Sequence, residues 1–175
     1  MPHKSIADHA SFCILHCITL LSVIIGFKYA GVQETSCFCS QTYGKHGETS
    51  KFDCNLCEDG SYMRCGAPGK NSVYRTNFLG CYIEDMYVKT FDHFAHLPSY
   101  DVTPTDCITK CRKDGFLFAG IRNGQDCYCG NEFNRYGEAP VDECNLPCSG
   151  NPQVTCGGIL RNSVYNTQFD SKRYK

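Results

Sequence analysis

The chain contains no tryptophan, no Asn-x-Ser/Thr acceptor and no run of charges of one sign. The missing acceptor excludes ordinary N-glycosylation. With 17 basic and 18 acidic residues the formal net charge is −1, so we expect no basic surface for nucleic acid. Any site that stacks a flat ligand has to use tyrosine or phenylalanine, of which the chain has 11 each.

Motifs of common catalytic sites are also missing. There is no Gly-x-Ser-x-Gly elbow and no phosphate-binding glycine loop, and the adjacent Glu84 and Asp85 point opposite ways on an extended run. Asp92, His93 and His96 are interpreted as part of a surface loop, because a further metal ligand is not evident. We predict that the protein is not an enzyme and that it uses no cofactor and no metal.

Cysteine, by contrast, is abundant, with 15 among 175 residues. This content is typical of small secreted domains held by disulfides. Zinc is the competing use for so many thiols, and Cys54 and Cys57 have the spacing of half a zinc site. The corresponding Cys144 and Cys148 are further apart, which disfavours zinc. We therefore predict disulfide bonds and an oxidising compartment.

Residues 1–30 are predicted to be a secretory signal peptide or an uncleaved signal anchor. A polar stretch that holds Lys4 precedes an apolar run from Phe12 to Phe27. This run is slightly short for a membrane-spanning helix. Cleavage after Gly26 is acceptable, whereas cleavage after Ala30 is disfavoured by the lysine two residues earlier. Either form makes the protein secreted or places it on the extracellular face of a membrane, attached only through an uncleaved anchor.

The cysteines recur with a period of 90 to 91 residues. The first set is Cys37, Cys39, Cys54, Cys57 and Cys65, followed by Asn71-Ser72-Val73-Tyr74. The second set is Cys127, Cys129, Cys144, Cys148 and Cys156, followed by Asn162-Ser163-Val164-Tyr165. The stretch from Gly80 to Gly124 has no counterpart before Cys37. We therefore predict a partial repeat over residues 36–77, a complete module over 78–167 and a tail over 168–175.

A partial repeat leaves an odd number of cysteines. If the first copy has no helix, Cys37 and Cys39 lack their partners, and 13 cysteines remain once Cys13 and Cys17 of the apolar run are set aside. At least one thiol is then free or joined to another chain. A disulfide-linked dimer, a degenerate repeat and an incomplete product of a longer reading frame would each account for this count.

The complete module should contain one well-defined helix. Thr103 is a suitable N-cap, Pro104 fits the first helical position, and an acidic residue follows three residues after the cap. The helix should run from Pro104 to about Asp114 and stop at Gly115. It places Cys107 and Cys111 on one inward-facing stripe.

A hairpin should follow the helix, because Asn123-Gly124 separates two runs with strand character. A two-residue turn pairs Gly120 with Cys127, which puts both strand cysteines on one face and Tyr128, Ala119 and Ile121 on the other. We predict that Cys107 and Cys111 are bonded to Cys127 and Cys129. The expected fold is a small disulfide-rich α+β module, a twisted antiparallel sheet with one or two helices packed on it.

The pattern formed by several of these residues resembles that of the WSC domain family. They are Gly80-Cys81-Tyr82, Asp85, Thr105, the Cys107/Cys111 helix, Cys127-Tyr128-Cys129-Gly130-Asn131, Cys144, Cys148, Cys156-Gly157-Gly158 and Ser163-Val164-Tyr165. The resemblance covers residues 78–167 fully and 36–76 as a second half. It implies a fold similar to PAN/apple modules, with Cys81, Cys107, Cys111, Cys127, Cys129, Cys144, Cys148 and Cys156 as its disulfide cysteines. The family occurs in yeast cell-wall stress sensors, Kremen co-receptors and xylosyltransferases, and is generally regarded as carbohydrate-binding or adhesive.

The resemblance implies a non-catalytic, extracellular module whose partner is a polysaccharide or glycan. Sugar binding needs apolar rings for the pyranose faces and amides or carboxylates for the hydroxyls. The candidate residues are Tyr82, Asp85, Tyr128, Asn131 and Tyr136. Two alternatives are a protein-interaction module of a receptor ectodomain, binding a cell-surface protein, and an ancillary lumenal part of a larger glycosyltransferase.

Overall fold

The computed structural model describes residues 27–57 and 63–168. These fall into two compact units, residues 27–76 and residues 77–168. The apolar run used to predict a signal segment lies outside the described residues up to residue 26. No helix within the described ranges has the length and apolar character needed to cross a membrane.

The first unit is a three-stranded antiparallel sheet. Its strands are β1 (Tyr29–Gln33), β2 (Ser36–Ser40) and β3 (Ser72–Arg75), in the order β2-β1-β3. Ala30 and Val32 of β1 are buried because they alternate toward one face of the sheet. The boundary predicted at residue 30 therefore falls inside a strand, and a cut after Ala30 would divide β1.

The second unit is a six-stranded antiparallel sheet with one helix packed on it. The elements are β4 (Phe78–Ile83), β5 (His93–Phe94), α1 (Pro104–Lys113), β6 (Phe118–Arg122), β7 (Asp126–Gly130), β8 (Glu138–Ala139) and β9 (Arg161–Asn166). The strand order is β5-β7-β6-β9-β4-β8. The architecture confirms the predicted disulfide-rich α+β class.

Helix α1 begins and ends where the sequence predicts. The Thr103 hydroxyl accepts a hydrogen bond from the Asp106 amide at 3.3 Å and so satisfies one of the free donors of the first turn. Gly115 has a φ of +87°, a left-handed conformation that glycine adopts without penalty. Cys107, Ile108 and Cys111 are buried against the sheet.

The register predicted for the β6–β7 hairpin is wrong by one residue. Arg122 pairs with Asp126, so three residues form the loop, and Gly120 lies opposite Tyr128. The Gly124 amide donates to Cys156 O at 3.0 Å, and its carbonyl accepts from the Ser149 amide at 2.9 Å. These bonds to a distant segment hold the additional loop residue, which a local turn rule does not take into account.

The shifted register moves Ala119 and Ile121 onto the same face as the strand cysteines. Ile121 lies opposite Cys127 and Ala119 opposite Cys129. All four side chains are buried on the face that carries α1. The predicted placement of Ala119 and Ile121 on the opposite face, beside Tyr128, is therefore corrected.

Four disulfides hold the second unit. Cys107 is bonded to Cys127 and Cys111 to Cys129, which is the pairing predicted from the helix and the hairpin. Two further bridges, which the sequence left open, are Cys81–Cys144 and Cys148–Cys156. The first two bridges join α1 to β7, Cys81–Cys144 joins β4 to the chain after β8, and Cys148–Cys156 closes a loop before β9.

The first unit has the same three-strand core as the second. Ala30 lies between Cys39 and Tyr74 in the first sheet, and Ala119 lies between Cys129 and Tyr165 in the second. Strands β2, β1 and β3 therefore correspond to β7, β6 and β9. The repeated structure begins with β1, before the predicted boundary at residue 36, because β1 takes the place of β6.

Cysteine pairing in the first unit also differs from expectation. Cys37 and Cys39 are both disulfide-bonded, although the partial-repeat interpretation left them without partners. Cys57 is bonded to Cys65 across a separation of 8, as Cys148 is to Cys156. Because Cys57 is oxidised, it does not form half of a zinc site with Cys54.

On the face of the second sheet opposite α1, two glycines leave space for one aromatic ring. The buried Phe91 lies over Gly120 and Gly130, whose ideal Cβ positions would be 2.6 Å and 2.8 Å from ring carbons. Any side chain at these positions would displace the ring. In the first unit, the equivalent Gly31 has no atom closer than 3.7 Å to its Cβ position.

The replacement Gly120→Ala is expected to lower the free energy of unfolding of residues 77–168 by about 1–3 kcal/mol, because the added methyl overpacks the Phe91 ring. Hydrogen exchange of β6 amides in increasing urea, followed by mass spectrometry, measures this loss. Gly31→Ala is the matched control and should leave the exchange of β1 unchanged or slower. Equal losses at the two positions would contradict the steric explanation.

Candidate functional site

A polar cleft lies beside Phe91, where the segment after β4 meets the end of β7. Its volume is about 500 Å³. Its lining residues are Thr90, Asp92, His93, Phe116, Cys129, Gly130, Asn131, Glu132 and Arg135. The cleft thus combines an aromatic ring with an amide, carboxylates, an imidazole and a guanidinium group.

His93 is held in the cleft by contacts on two sides. Its ring stacks on Phe116 with centroids 4.7 Å apart, and its Nε2 lies 3.7 Å from an Asp114 carboxylate oxygen. Lys110 donates to the same carboxylate at 2.5 Å, and this bond holds the pKa of Asp114 below its usual value. The C-terminal turn of α1 therefore positions one wall of the cleft.

Two exposed side chains of the cleft are anchored to backbone groups. Asn131 Oδ1 accepts a hydrogen bond from the Leu117 amide at 3.1 Å, which fixes its orientation. Arg135 Nη1 donates to Lys89 O at 3.3 Å. Such anchoring reduces the conformational entropy lost when a ligand binds.

Asp85 and Tyr136 both hold the turn that follows β4. One oxygen of Asp85 accepts from the amides of Tyr87 and Val88, each at 2.8 Å, and these bonds lower the pKa of Asp85. The Tyr136 hydroxyl donates to Val88 O at 2.7 Å. The turn presents Met86, Tyr87 and Val88 to solvent, with Tyr87 88% exposed.

Tyr82 and Tyr128 belong to the apolar cluster around Phe91. Tyr82 packs edge-on against Phe133, with centroids 5.0 Å apart. Tyr128 is 9% exposed and lies on the sheet face opposite its neighbouring cysteines, as predicted. The Arg122 guanidinium covers its ring at 4.2 Å. Both tyrosines therefore pack in the apolar cluster and do not line the cleft.

A buried ion pair lies beneath the turn. Glu84 and Arg122 are 3% and 7% exposed, and their charged groups are 3.7 Å apart. The Glu84 carboxylate also accepts from the Asn162 amide group at 2.8 Å and from the backbone amides of Thr90 at 2.8 Å and Asp85 at 3.1 Å. This pairing ties the turn to strands β6 and β9.

Of the five candidate sugar-binding residues, the structure places only Asn131 on the cleft. Asp85 and Tyr136 support the neighbouring turn, and Tyr82 and Tyr128 pack in the apolar cluster. Thr90, Phe116, Glu132 and Arg135 were not among the predicted site residues, and Asp92 and His93 were predicted to lie in a surface loop. The Asn131-Glu132 pair directly after the predicted strand was the available signal.

The sequence profile of the WSC domain matches residues 78–158. This range contains β4, α1, the β6–β7 hairpin and all four disulfides of the second unit. Residues 78–158 form a WSC domain. The cleft and the turn after β4 are thus parts of the WSC domain, and the family is associated with carbohydrate binding.

Several known proteins are similar to this chain. A WSC domain-containing protein of Arthroderma benhamiae is 24% identical across 88% of the chain and 20% of its own length. Kremen protein 1 of Homo sapiens is 34% identical across 63% of the chain and 23% of its own length. Xylosyltransferase oxt of Drosophila melanogaster is 26% identical across 60% of the chain and 12% of its own length. The chain thus spans about a fifth of the length of the first two relatives.

The similarity also extends outside residues 78–158. A match across 88% of the chain has to include most of the residues before the WSC domain. The first unit therefore shares sequence features with a WSC domain-containing protein. This agrees with the correspondence of its strands β2, β1 and β3 to β7, β6 and β9 of the second unit.

Proposed function

We propose that the WSC domain is an extracellular, non-catalytic module that binds a glycan in the cleft between His93 and Arg135. The composition of the cleft carries this proposal. Amide, carboxylate and guanidinium groups offer donors and acceptors for sugar hydroxyls, and the Phe116 ring offers an apolar face. Four disulfides and the anchored side chains keep these groups in place without a ligand.

The chemistry of the cleft favours binding over catalysis. The turn of α1 holds the His93 ring against Phe116, and its nearest charged neighbour, Asp114, is shared with Lys110. A general acid and base need two groups of matched pKa on either side of a reacting bond. We infer that any catalytic activity of a full-length protein would belong to another domain.

A panel of insoluble polysaccharides tests the proposal. The chain should be retained on at least one of cellulose, chitin, xylan and β-glucan, and Arg135→Ala should weaken retention by about 5- to 10-fold, the equivalent of about one hydrogen bond. Tyr87→Ser, in the exposed turn, is the control and should bind normally. Absence of retention on every polysaccharide, or equal losses for the two variants, would contradict the proposed site.

The turn after β4 favours a second candidate function, a protein-interaction module of a receptor ectodomain. Met86, Tyr87 and Val88 are 62%, 88% and 54% exposed and form a contiguous apolar tip on a turn fixed by Asp85 and Tyr136. Exposed apolar tips of this kind are typical of protein contacts. The similarity to Kremen protein 1 is in accord with it, and an ancillary role beside a glycosyltransferase domain is the third possibility, since xylosyltransferase oxt contains a similar region.

The same two variants separate the first two functions. If the turn binds a protein, capture of a cell-surface partner should be lost with Tyr87→Ser, retained with Arg135→Ala and unaffected by glycosidase treatment of that partner. The glycan proposal gives the opposite result for both variants.

A further inference from the structure

The tip of the β6–β7 hairpin contains Asn123-Gly124, a pair with a reactivity of its own. The glycine nitrogen in such a pair can attack the asparagine side-chain carbonyl, because glycine has no side chain to obstruct the approach. The bond from Gly124 N to Asn123 Cγ forms, the Cγ–Nδ2 bond breaks, and ammonia leaves with the Gly124 amide proton. Water then opens the resulting succinimide ring to aspartate or isoaspartate. The Asn123 side chain is exposed, so water has access to it.

The attacking nitrogen is held away from this reaction by the surroundings of Gly124. Its amide donates to Cys156 O at 3.0 Å, and its carbonyl accepts from the Ser149 amide at 2.9 Å. Gly124 is buried, and its ideal Cβ position is 2.7 Å from Pro147 O. Attack on Asn123 therefore requires both hydrogen bonds of Gly124 to open.

All three contacts of Gly124 come from the segment that the Cys148–Cys156 disulfide closes. Pro147 and Ser149 flank Cys148, and Cys156 itself supplies the carbonyl. The Cys156 amide also donates to Leu146 O at 2.7 Å, so the two ends of the segment are held side by side. The disulfide thus fixes the groups that hold Gly124.

The side chain of Asn123 is restrained as well. Its Nδ2 donates to an Asp126 carboxylate oxygen at 2.8 Å, and its backbone has a φ of +55°. Conversion of Asn123 to an acid replaces this donor by a second carboxylate. Like charges at this distance repel, so the product weakens the hairpin tip.

We propose that Asn123 is a deamidation site whose reactivity is controlled by the Cys148–Cys156 disulfide. With the bridge formed, Gly124 N stays bonded to Cys156 O and Asn123 stays an amide. Without the bridge, the segment releases Gly124, and Asn123 converts to aspartate or isoaspartate. A chain that has lost this bridge, or never formed it, is then marked by a new negative charge at the hairpin tip.

Incubation of the full chain at neutral pH tests the proposal, with conversion of the amide to the acid followed by mass spectrometry of its peptides. In the Cys148→Ala/Cys156→Ala variant, Asn123 should deamidate about 10- to 30-fold faster than in the unaltered chain, which is the ratio that two backbone hydrogen bonds sustain. The reduced chain in urea gives the rate of a pair that nothing holds, and the variant should approach this rate.

The Cys81→Ala/Cys144→Ala variant is the control, because it opens a bridge elsewhere in the same unit. Its bridge closes a longer loop, so it is expected to be the less stable variant. Asn123 should nevertheless deamidate in it as slowly as in the unaltered chain, because the contacts of Gly124 remain. Equal acceleration in the two variants would assign the effect to global unfolding and overturn the proposal. An unaltered chain that deamidates as fast as the chain in urea, or a Cys148→Ala/Cys156→Ala variant no faster than the unaltered chain, would overturn it too.

Discussion

Replacing Cys81 and Cys144 together with alanine is expected to lower the free energy of unfolding of residues 77–168 by about 4 kcal/mol. The reason is the length of chain that the bridge closes, a separation of 63 residues. A cross-link restricts the unfolded chain more as the closed loop grows. Hydrogen exchange of the β9 amides in increasing urea measures the loss within this unit.

The pair Cys148 and Cys156 provides the control for loop length. Its separation is 8 residues, and the same relation gives about 2.5 kcal/mol for its double alanine variant. All four cysteines are buried, with at most 2% exposure, so the loss of sulfur packing is comparable in the two variants. Equal destabilisation by the two variants would show that loop closure does not determine the contribution of these bridges.

Replacing Glu84 with alanine should cost about 3–5 kcal/mol, because it leaves the buried guanidinium of Arg122 without a compensating charge. The loss also removes the acceptor for the backbone amides of Asp85 and Thr90. These amides shape the turn after β4. Hydrogen exchange of residues 85–90 should therefore increase at a lower urea concentration than exchange of the β9 amides. Urea titration followed by hydrogen exchange distinguishes the local from the global effect.

The exposed pair of Glu143 and Arg161 is the matched control. Their side chains are 42% and 27% exposed, although the nitrogen and oxygen are only 2.5 Å apart. Solvent screening limits the contribution of such a pair to stability. Glu143→Ala should therefore lower the free energy of unfolding by about 0–1 kcal/mol. A Glu84→Ala variant no less stable than Glu143→Ala would mean that Arg122 finds another partner or reaches solvent.

Local chemistry explains which elements were predictable. The bounds of α1 depend on Thr103, Pro104 and Gly115, which act within one turn of the helix. The pairing of Cys107 and Cys111 with Cys127 and Cys129 survives the error in the hairpin register. Both strand cysteines face the helix in either register, because they are two residues apart on one strand.

The candidate site was less predictable, because sequence proximity does not give exposure. Tyr82 and Tyr128 are polar-tipped rings on strands, and only the packing of Phe91 and Phe133 shows that they lie in the apolar cluster. The cleft combines residues from before α1, after α1 and after β7, and antiparallel pairing brings these segments together.

The start of the first sheet is recognisable in the sequence, because Ala30-Gly31-Val32 of β1 matches Ala119-Gly120-Ile121 of β6. The repeat was delimited by its cysteines, and neither β1 nor β6 contains one.

The amino-acid sequence by itself determined the disulfide-rich class, the helix and its caps, the helix–hairpin bridges and the existence of a repeat. Each depends on residue types at short or fixed spacings, which act through local backbone geometry. The tertiary structure decided the hairpin register, the Cys81–Cys144 bridge and the cleft. These features depend on contacts between distant segments. The free energies of such contacts are set by burial and by the order of strands in the sheet.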